Sequence, residues 1–140
     1  MLKPVKILLV EDNPGDILLT KKAFSKSKIK NNLYVTKDGV EALKFLKEKT
    51  IIPDIILLDI NLPKKNGWEV LHEIKNDEDL KSIPVIMLTT SESDVDILKS
   101  YNLYANSYLV KPVKMEEFIN LVKNFTEYWF CIVKLPSQGE

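Results

Sequence analysis

Short apolar runs, each the length of one buried strand, recur five times along the chain and are separated by helix-sized segments. The runs lie at about 6–10, 33–36, 54–59, 85–88 and 107–110. A continuous apolar run of this length is typical of a strand buried on both faces. Strands that alternate with helices over short links favour right-handed crossovers and a covered parallel sheet. The pattern therefore predicts an α/β fold: a doubly wound, five-stranded parallel sheet with five helices in three layers.

The segments between the runs carry helix signals. Asn13 and Pro14 are typical of a helix start, with asparagine at the N-cap and proline at the first helical position. In the second helix, the spacing of Val40, Leu43 and Leu46 predicts one buried face. The five predicted helices span about 13–27, 40–49, 68–76, 91–101 and 115 onwards.

Charge and composition exclude several classes of protein. The chain has 20 acidic and 20 basic residues, and every basic residue is lysine, so it lacks the basic patch and the arginines of a general nucleic-acid binder. No apolar run approaches the roughly 20 residues of a membrane helix, and the N-terminus lacks a signal-peptide pattern. The single cysteine, Cys131, suits a reducing compartment. We expect a cytoplasmic protein that binds neither nucleic acid nor membrane.

Polar side chains stand at the carboxyl ends of four predicted strands. Glu11 and Asp12 follow the first strand, and Asp59 ends the third; Thr89 ends the fourth, and Lys111 follows the fifth. Ligands of doubly wound sheets bind outside these strand ends. Three carboxylates gathered there would repel one another and raise each other's pKa values. A hard divalent cation such as Mg²⁺ would relieve that repulsion, because it prefers oxygen ligands.

These groups together suit the transfer of a phosphoryl group to a carboxylate. Asp59, alone at the end of the central strand, is the expected nucleophile. The cation, Thr89 and Lys111 would hold oxygens of the transferring group. Each residue alone is commonplace at a strand end, so the prediction depends on the whole set.

Five pieces of the sequence resemble the receiver domain of two-component response regulators: 7–12, 56–63, Gly67, 84–89 and 108–112. Their order and spacing extend the resemblance over 5–127, with 128–140 as a C-terminal extension. The resemblance implies a flavodoxin-like sheet of strand order 2-1-3-4-5. The start at 11–16 and the tail at 128–136 are similar to small single-domain regulators paired with bacterial phytochrome kinases.

The resemblance implies a phosphoacceptor and a metal site. Asp59 would receive its phosphoryl group from a histidine of a sensor kinase. The narrower resemblance to regulators paired with phytochrome kinases implies that this kinase is phytochrome-like. Mg²⁺ would be bound by Asp12 and Asp59, by Glu11 through water, and by the backbone carbonyl of Asn61. Glu11 stands where many relatives have aspartate, which affects only the expected metal geometry.

The resemblance also implies a switch. Thr89 would bond the phosphoryl group, Lys111 would pair with it, and Tyr108 would swing inward as Thr89 moves. The Lys111-Pro112 peptide bond is cis in many relatives. Three further residues would tune the lifetime of the phosphoryl group, or are plain loop residues: Asn61, Thr90 and Ser91.

The tail is strongly apolar. Residues 128–133 read Tyr-Trp-Phe-Cys-Ile-Val, too apolar a segment to stay in water without a partner. It could fold back on its own domain or cross a second subunit. We favour a homodimer in which Tyr101, Tyr104 and Tyr108 share the interface.

No output domain is visible, so we expect a signalling protein rather than an enzyme. It would act by contact with an unknown downstream protein, and it would limit its own signal by dephosphorylation.

Three other readings compete. A flavodoxin-like electron carrier would need a Ser/Thr/Gly-rich phosphate loop after the first strand, where Glu11 and Asp12 stand instead. A haloacid-dehalogenase-type phosphatase usually has a second aspartate two residues after the nucleophile, where this chain has Asn61. The third alternative is a receiver-like binding module that works without phosphorylation. The only argument against it is that the set of site residues is intact.

Overall fold

The computed structural model describes residues 3–90 and 107–122, which alternate between strands and helices. The strands are β1 (Val5–Val10), β2 (Asn31–Thr36), β3 (Ile55–Asp59), β4 (Val85–Thr89) and β5 (Ser107–Val110). The helices in this part of the chain are α1 (Pro14–Lys26), α2 (Gly39–Glu48), α3 (Gly67–Lys75) and α4 (Met115–Val122). The helix predicted over 91–101 and the apolar tail from 128 lie outside the described residues.

All five strands are parallel and form one sheet of order β2-β1-β3-β4-β5. The strand order reverses between β1 and β3, which makes the sheet doubly wound and confirms the predicted fold. Val10 of β1 pairs with Leu58, and Asp59 of β3 pairs with Leu88 of β4. Because the strands are parallel and in this register, Glu11, Asp59 and Thr89 reach the same edge of the sheet.

The sheet separates two hydrophobic clusters. Alternate side chains of a strand point to opposite faces, so Leu8 and Leu58 pack with the buried residues of α2 and α3. Ile7 and Leu57 pack on the other face with those of α1 and α4. The three layers are thus α2–α3, the sheet, and α1–α4. None of the helices in the described ranges is long and apolar enough to span a membrane.

The predicted burial of Val40 was wrong. Val40 is 51% exposed, whereas Ala42, Leu43 and Leu46 form the buried face of α2. At about 100° per residue, the centre of that face lies on the order of 100° around the helix from Val40. The spacing of three residues between Val40 and Leu43 was therefore misleading, since Leu43 lies at one border of the face.

Candidate functional site

The predicted strand-end carboxylates meet at the carboxyl edge of the sheet. Glu11 and Asp59 are 1% and 2% exposed, and Asp12 beside them is exposed. Each of the three offers one carboxylate oxygen, and these oxygens lie within 4.8 Å of one another. One hard cation can bridge oxygens so spaced, and two of the donors are too buried for water to solvate them fully. The residues present therefore fit a divalent metal ion.

Lys111 reaches into this carboxylate cluster from the end of β5. Its Nζ lies 2.9 Å from Glu11 Oε1, 2.9 Å from Asp16 Oδ2 and 3.3 Å from Asp59 Oδ2. Its backbone N–H donates to the carbonyl of Thr89 at 2.7 Å. A lysine ammonium has three N–H donors, so these three carboxylates account for all of them. The Lys111-Pro112 peptide bond is cis, as the resemblance implied.

The buried carboxylates of Glu11 and Asp59 each accept a hydrogen bond from the backbone amide two residues later in the chain. Asn13 N–H donates to Glu11 Oε2 at 3.1 Å, and Asn61 N–H donates to Asp59 Oδ1 at 3.3 Å. After β1 and after β3 the backbone thus turns back toward the carboxylate at the strand end, and at Asp59 this turn is of the Asx type. One carboxylate oxygen of Asp59 therefore accepts a hydrogen bond from a backbone amide, and the other accepts one from the Lys111 ammonium.

Gly67 lets α3 begin directly against the backbone of the site. Its N–H donates to the carbonyl of Ile60 at 2.9 Å. A Cβ at this position would lie 2.3 Å from the carbonyl oxygen of Asp59 and 2.8 Å from Cα of Ile60. Only glycine allows so close an approach, because the obstructing atoms belong to backbone and cannot rotate away. The Asn66–Glu69 capping box fixes the start of the same helix.

The pKa values of Glu11 and Lys111 are both raised, but for different reasons. Burial raises the pKa of Glu11 to about 7; the hydrogen bond from Lys111 acts against this rise, and the hydrogen bond with Asp59 adds to it. Burial alone would lower the pKa of Lys111, but its hydrogen bonds to Glu11 and Asp16 outweigh burial and hold that pKa above the usual range. Lys111 therefore stays charged, whereas Glu11 titrates near neutral pH.

We expect the metal-free protein to lose stability as the pH rises from about 4.5 to about 7. In that window folded Glu11 keeps a proton that the unfolded chain has already released, so raising the pH favours unfolding. The contribution is on the order of 1–3 kcal/mol. Urea denaturation in chelator across this range measures it, with Glu11→Gln as the variant that lacks the titration. Parallel stability profiles for the two proteins would contradict the expectation.

The other predicted site residues lie around the same edge. Thr89 is fully buried at the end of β4, and Thr90 and Asn61 are exposed. Tyr108 is half-buried and packs against the cluster on the α2–α3 face. Ser91, the third predicted tuning residue, lies outside the described residues.

Asp16 is a site residue that sequence reasoning missed. It lies in the first turn of α1, where an acidic residue is ordinarily explained by the helix dipole. Its side chain instead bonds Lys111, 95 positions along the chain. The available signal was the direction of α1, since in a doubly wound sheet the helix that follows a strand starts at the site.

The fold and this arrangement of groups define the class of protein. The sequence matches the response regulator receiver domain over residues 7–123, so this chain belongs to the receiver domain family of response regulators. It is 42% identical over 139 residues to the response regulator Rcp1 of Synechocystis sp., covering 96% of this chain and 95% of that protein. It is thus a receiver-type signalling protein related to phytochrome response regulators, and a histidine kinase is the partner that the family implies.

Solved structures agree with this relationship. The bacteriophytochrome response regulator AtBRR superposes with a TM-score of 0.83 at 39% identity, covering 91% of this chain and 96% of that one. The phosphorylated cyanobacterial phytochrome response regulator RcpA gives 0.72 at 42% identity, with 91% and 95% covered. The Mn²⁺-bound form of Rcp1 gives 0.71 at 42% identity, with 90% and 94% covered.

Proposed function

We propose that Asp59 is the phosphoacceptor of this chain and takes a phosphoryl group from a histidine of a phytochrome-like sensor kinase. The observation that carries the proposal is the contact between the Lys111 ammonium and Asp59 Oδ2 at 3.3 Å, inside a cluster of oxygen ligands. A carboxylate so placed lies beside a fixed positive charge, at the edge where doubly wound folds bind ligands.

The chemical step is a displacement at phosphorus. An oxygen of Asp59 bonds to phosphorus as the bond from phosphorus to the donor imidazole nitrogen breaks, and that nitrogen keeps the electron pair. Glu11, Asp12 and Asp59 with the carbonyl of Asn61 would hold Mg²⁺, which supplies positive charge beside the transferring oxygens. Lys111 adds a second positive charge from the end of β5.

The signal would be read through Thr89 and Tyr108. Thr89 is buried at the end of β4, one residue beyond the Leu88 that pairs with Asp59. Tyr108 pairs in register with Met87 of the same strand. A hydroxyl that moves toward the phosphoryl group would leave space for the half-buried tyrosine to follow. Asn61, Thr90 and Ser91 would tune hydrolysis of the acyl phosphate, by which the protein limits its own signal.

The wider organisation that we propose has a receiver domain over 5–127 and an extension over 128–140. The apolar segment 128–133 supports a homodimer interface, because its exposure to water would be costly. Output would pass by contact to a downstream protein. The one cysteine supports a cytoplasmic location.

Intact-mass measurement after incubation with acetyl phosphate or phosphoramidate tests the proposal. We expect one added phosphoryl group with Mg²⁺, none in chelator, and none in Asp59→Asn. Asp79→Asn is the matched control, because Asp79 is exposed and pairs with Lys49 away from the site. A wild-type protein that gains no phosphoryl group from either donor would contradict the proposal. That result would favour the alternative function, a receiver-like binding module that works without phosphorylation.

A further inference from the structure

Asp16 differs in its surroundings from the other two carboxylates that bind Lys111. The side chains of Glu11 and Asp59 are 1% and 3% exposed, whereas that of Asp16 is 30% exposed. Glu11 and Asp59 also belong to the cluster that fits a cation, and Asp16 does not. Asp16 nevertheless accepts one of the two shortest bonds from the ammonium, at 2.9 Å.

Binding a phosphoryl oxygen obliges Lys111 to give up one of these acceptors. Its three N–H donors are already directed at three carboxylates, so a fourth acceptor can enter only by exchange. Buried Glu11 would lose a hydrogen bond that water cannot replace. Asp16, at the mouth of the site, can be solvated at once, so its bond is the least costly to break.

We propose that Asp16 is a positioning residue that holds Lys111 in the unphosphorylated protein and is exchanged for an oxygen of the phosphoryl group. The proposal rests on the function proposed above for Asp59. Asp16 then opposes phosphorylation, because part of the attraction between Lys111 and the phosphoryl group is offset by the bond that is lost. Removal of the Asp16 charge should therefore favour the phosphorylated state.

The test is the affinity for beryllium fluoride, a mimic of the phosphoryl group, in the presence of Mg²⁺. We expect Asp16→Asn to bind it about two- to fivefold more tightly than the wild type, the range for a partly exposed ion pair. Asp16→Glu, which keeps the charge, should stay near the wild type. Glu48→Gln removes an exposed charge elsewhere on the chain and should have no effect. The substitution keeps the backbone of Asp16, to which Asn13 and Thr20 bond, so folding should be intact.

A Lys111→Ala background separates exchange from simple repulsion of an anion by Asp16. In that background Asp16→Asn should change the affinity much less, since the ammonium that it frees is missing. An equal gain in both backgrounds would overturn the proposal, as would unchanged or weaker binding by Asp16→Asn in the wild-type background. A wild-type protein that neither binds the mimic nor gains a phosphoryl group would instead refute the proposed function itself.

Discussion

A Lys111→Met variant is expected to lose phosphoryl transfer to Asp59 by roughly 100- to 1,000-fold, the usual effect of removing one preorganised charge from such a site. The ammonium is 3.3 Å from Asp59, so its positive charge already lies beside the place where charge develops on the phosphoryl oxygens. Rates of mass increase with acetyl phosphate and Mg²⁺ measure the loss. A rate within a few-fold of the wild type would show that Lys111 is not part of the transfer chemistry.

The same substitution should destabilise the metal-free protein at neutral pH. It leaves Glu11 and Asp59 buried beside each other without their cation, and breaking a buried pair in this way typically costs about 3–5 kcal/mol. Lys111 acts against the rise of the Glu11 pKa, so without it Glu11 should keep its proton to a pH above about 7. The loss of stability should therefore grow as the pH rises above about 7, where Glu11 of the wild type is ionised. Urea denaturation in chelator with and without added Mg²⁺ measures both effects.

Lys49→Met is the matched control for that stability measurement. Lys49 pairs with Asp79 at the surface, and both side chains are more than half exposed. Exposed pairs of this kind contribute about 0–1 kcal/mol. Comparable losses for Lys49→Met and Lys111→Met would contradict a special electrostatic role of Lys111.

Gly67→Ala should destabilise the protein by on the order of 2–3 kcal/mol, a typical cost of forcing extra atoms into a packed site. The new Cβ would lie 2.3 Å from the carbonyl oxygen of Asp59, so either α3 or the end of β3 must move. Movement of β3 displaces the proposed phosphoacceptor, and the fraction that remains folded should therefore also be phosphorylated more slowly. Denaturation midpoints and rates of mass increase measure the two consequences separately.

Gly15→Ala provides the control for that prediction. A Cβ there would meet only the side-chain oxygen of Asn13, at 3.2 Å, in an exposed first turn of α1. That oxygen caps α1 by accepting from the Asp16 N–H, and it need move by only a few tenths of an ångström. Because alanine also favours the helix, the change should stay within about 1 kcal/mol, the usual value of one cap. If both glycines tolerate alanine equally well, the close approach at Gly67 does not constrain the site.

Much of the fold and the site could be predicted because both depend on local patterns. The apolar run at 55–58 identifies a doubly buried strand, and Asp59 identifies its end. A parallel sheet then gathers every strand end at one edge, which is why Glu11, Asp12 and Lys111 could be grouped without coordinates. Val40 shows the limit of such patterns, because a shared helical spacing says little about a residue at the border of a buried face.

What the sequence by itself determined is the order of the elements, the doubly wound sheet and the identity of the groups at its carboxyl edge, since periodicity and strand ends are local properties. Only the tertiary structure decided that Lys111 also binds Asp16, that burial moves the pKa of Glu11 to about 7, and that Gly67 adjoins the carbonyl of Asp59. These features depend on distances and burial between segments far apart in the chain. No spacing of residues along one segment encodes how closely another segment will pack against it.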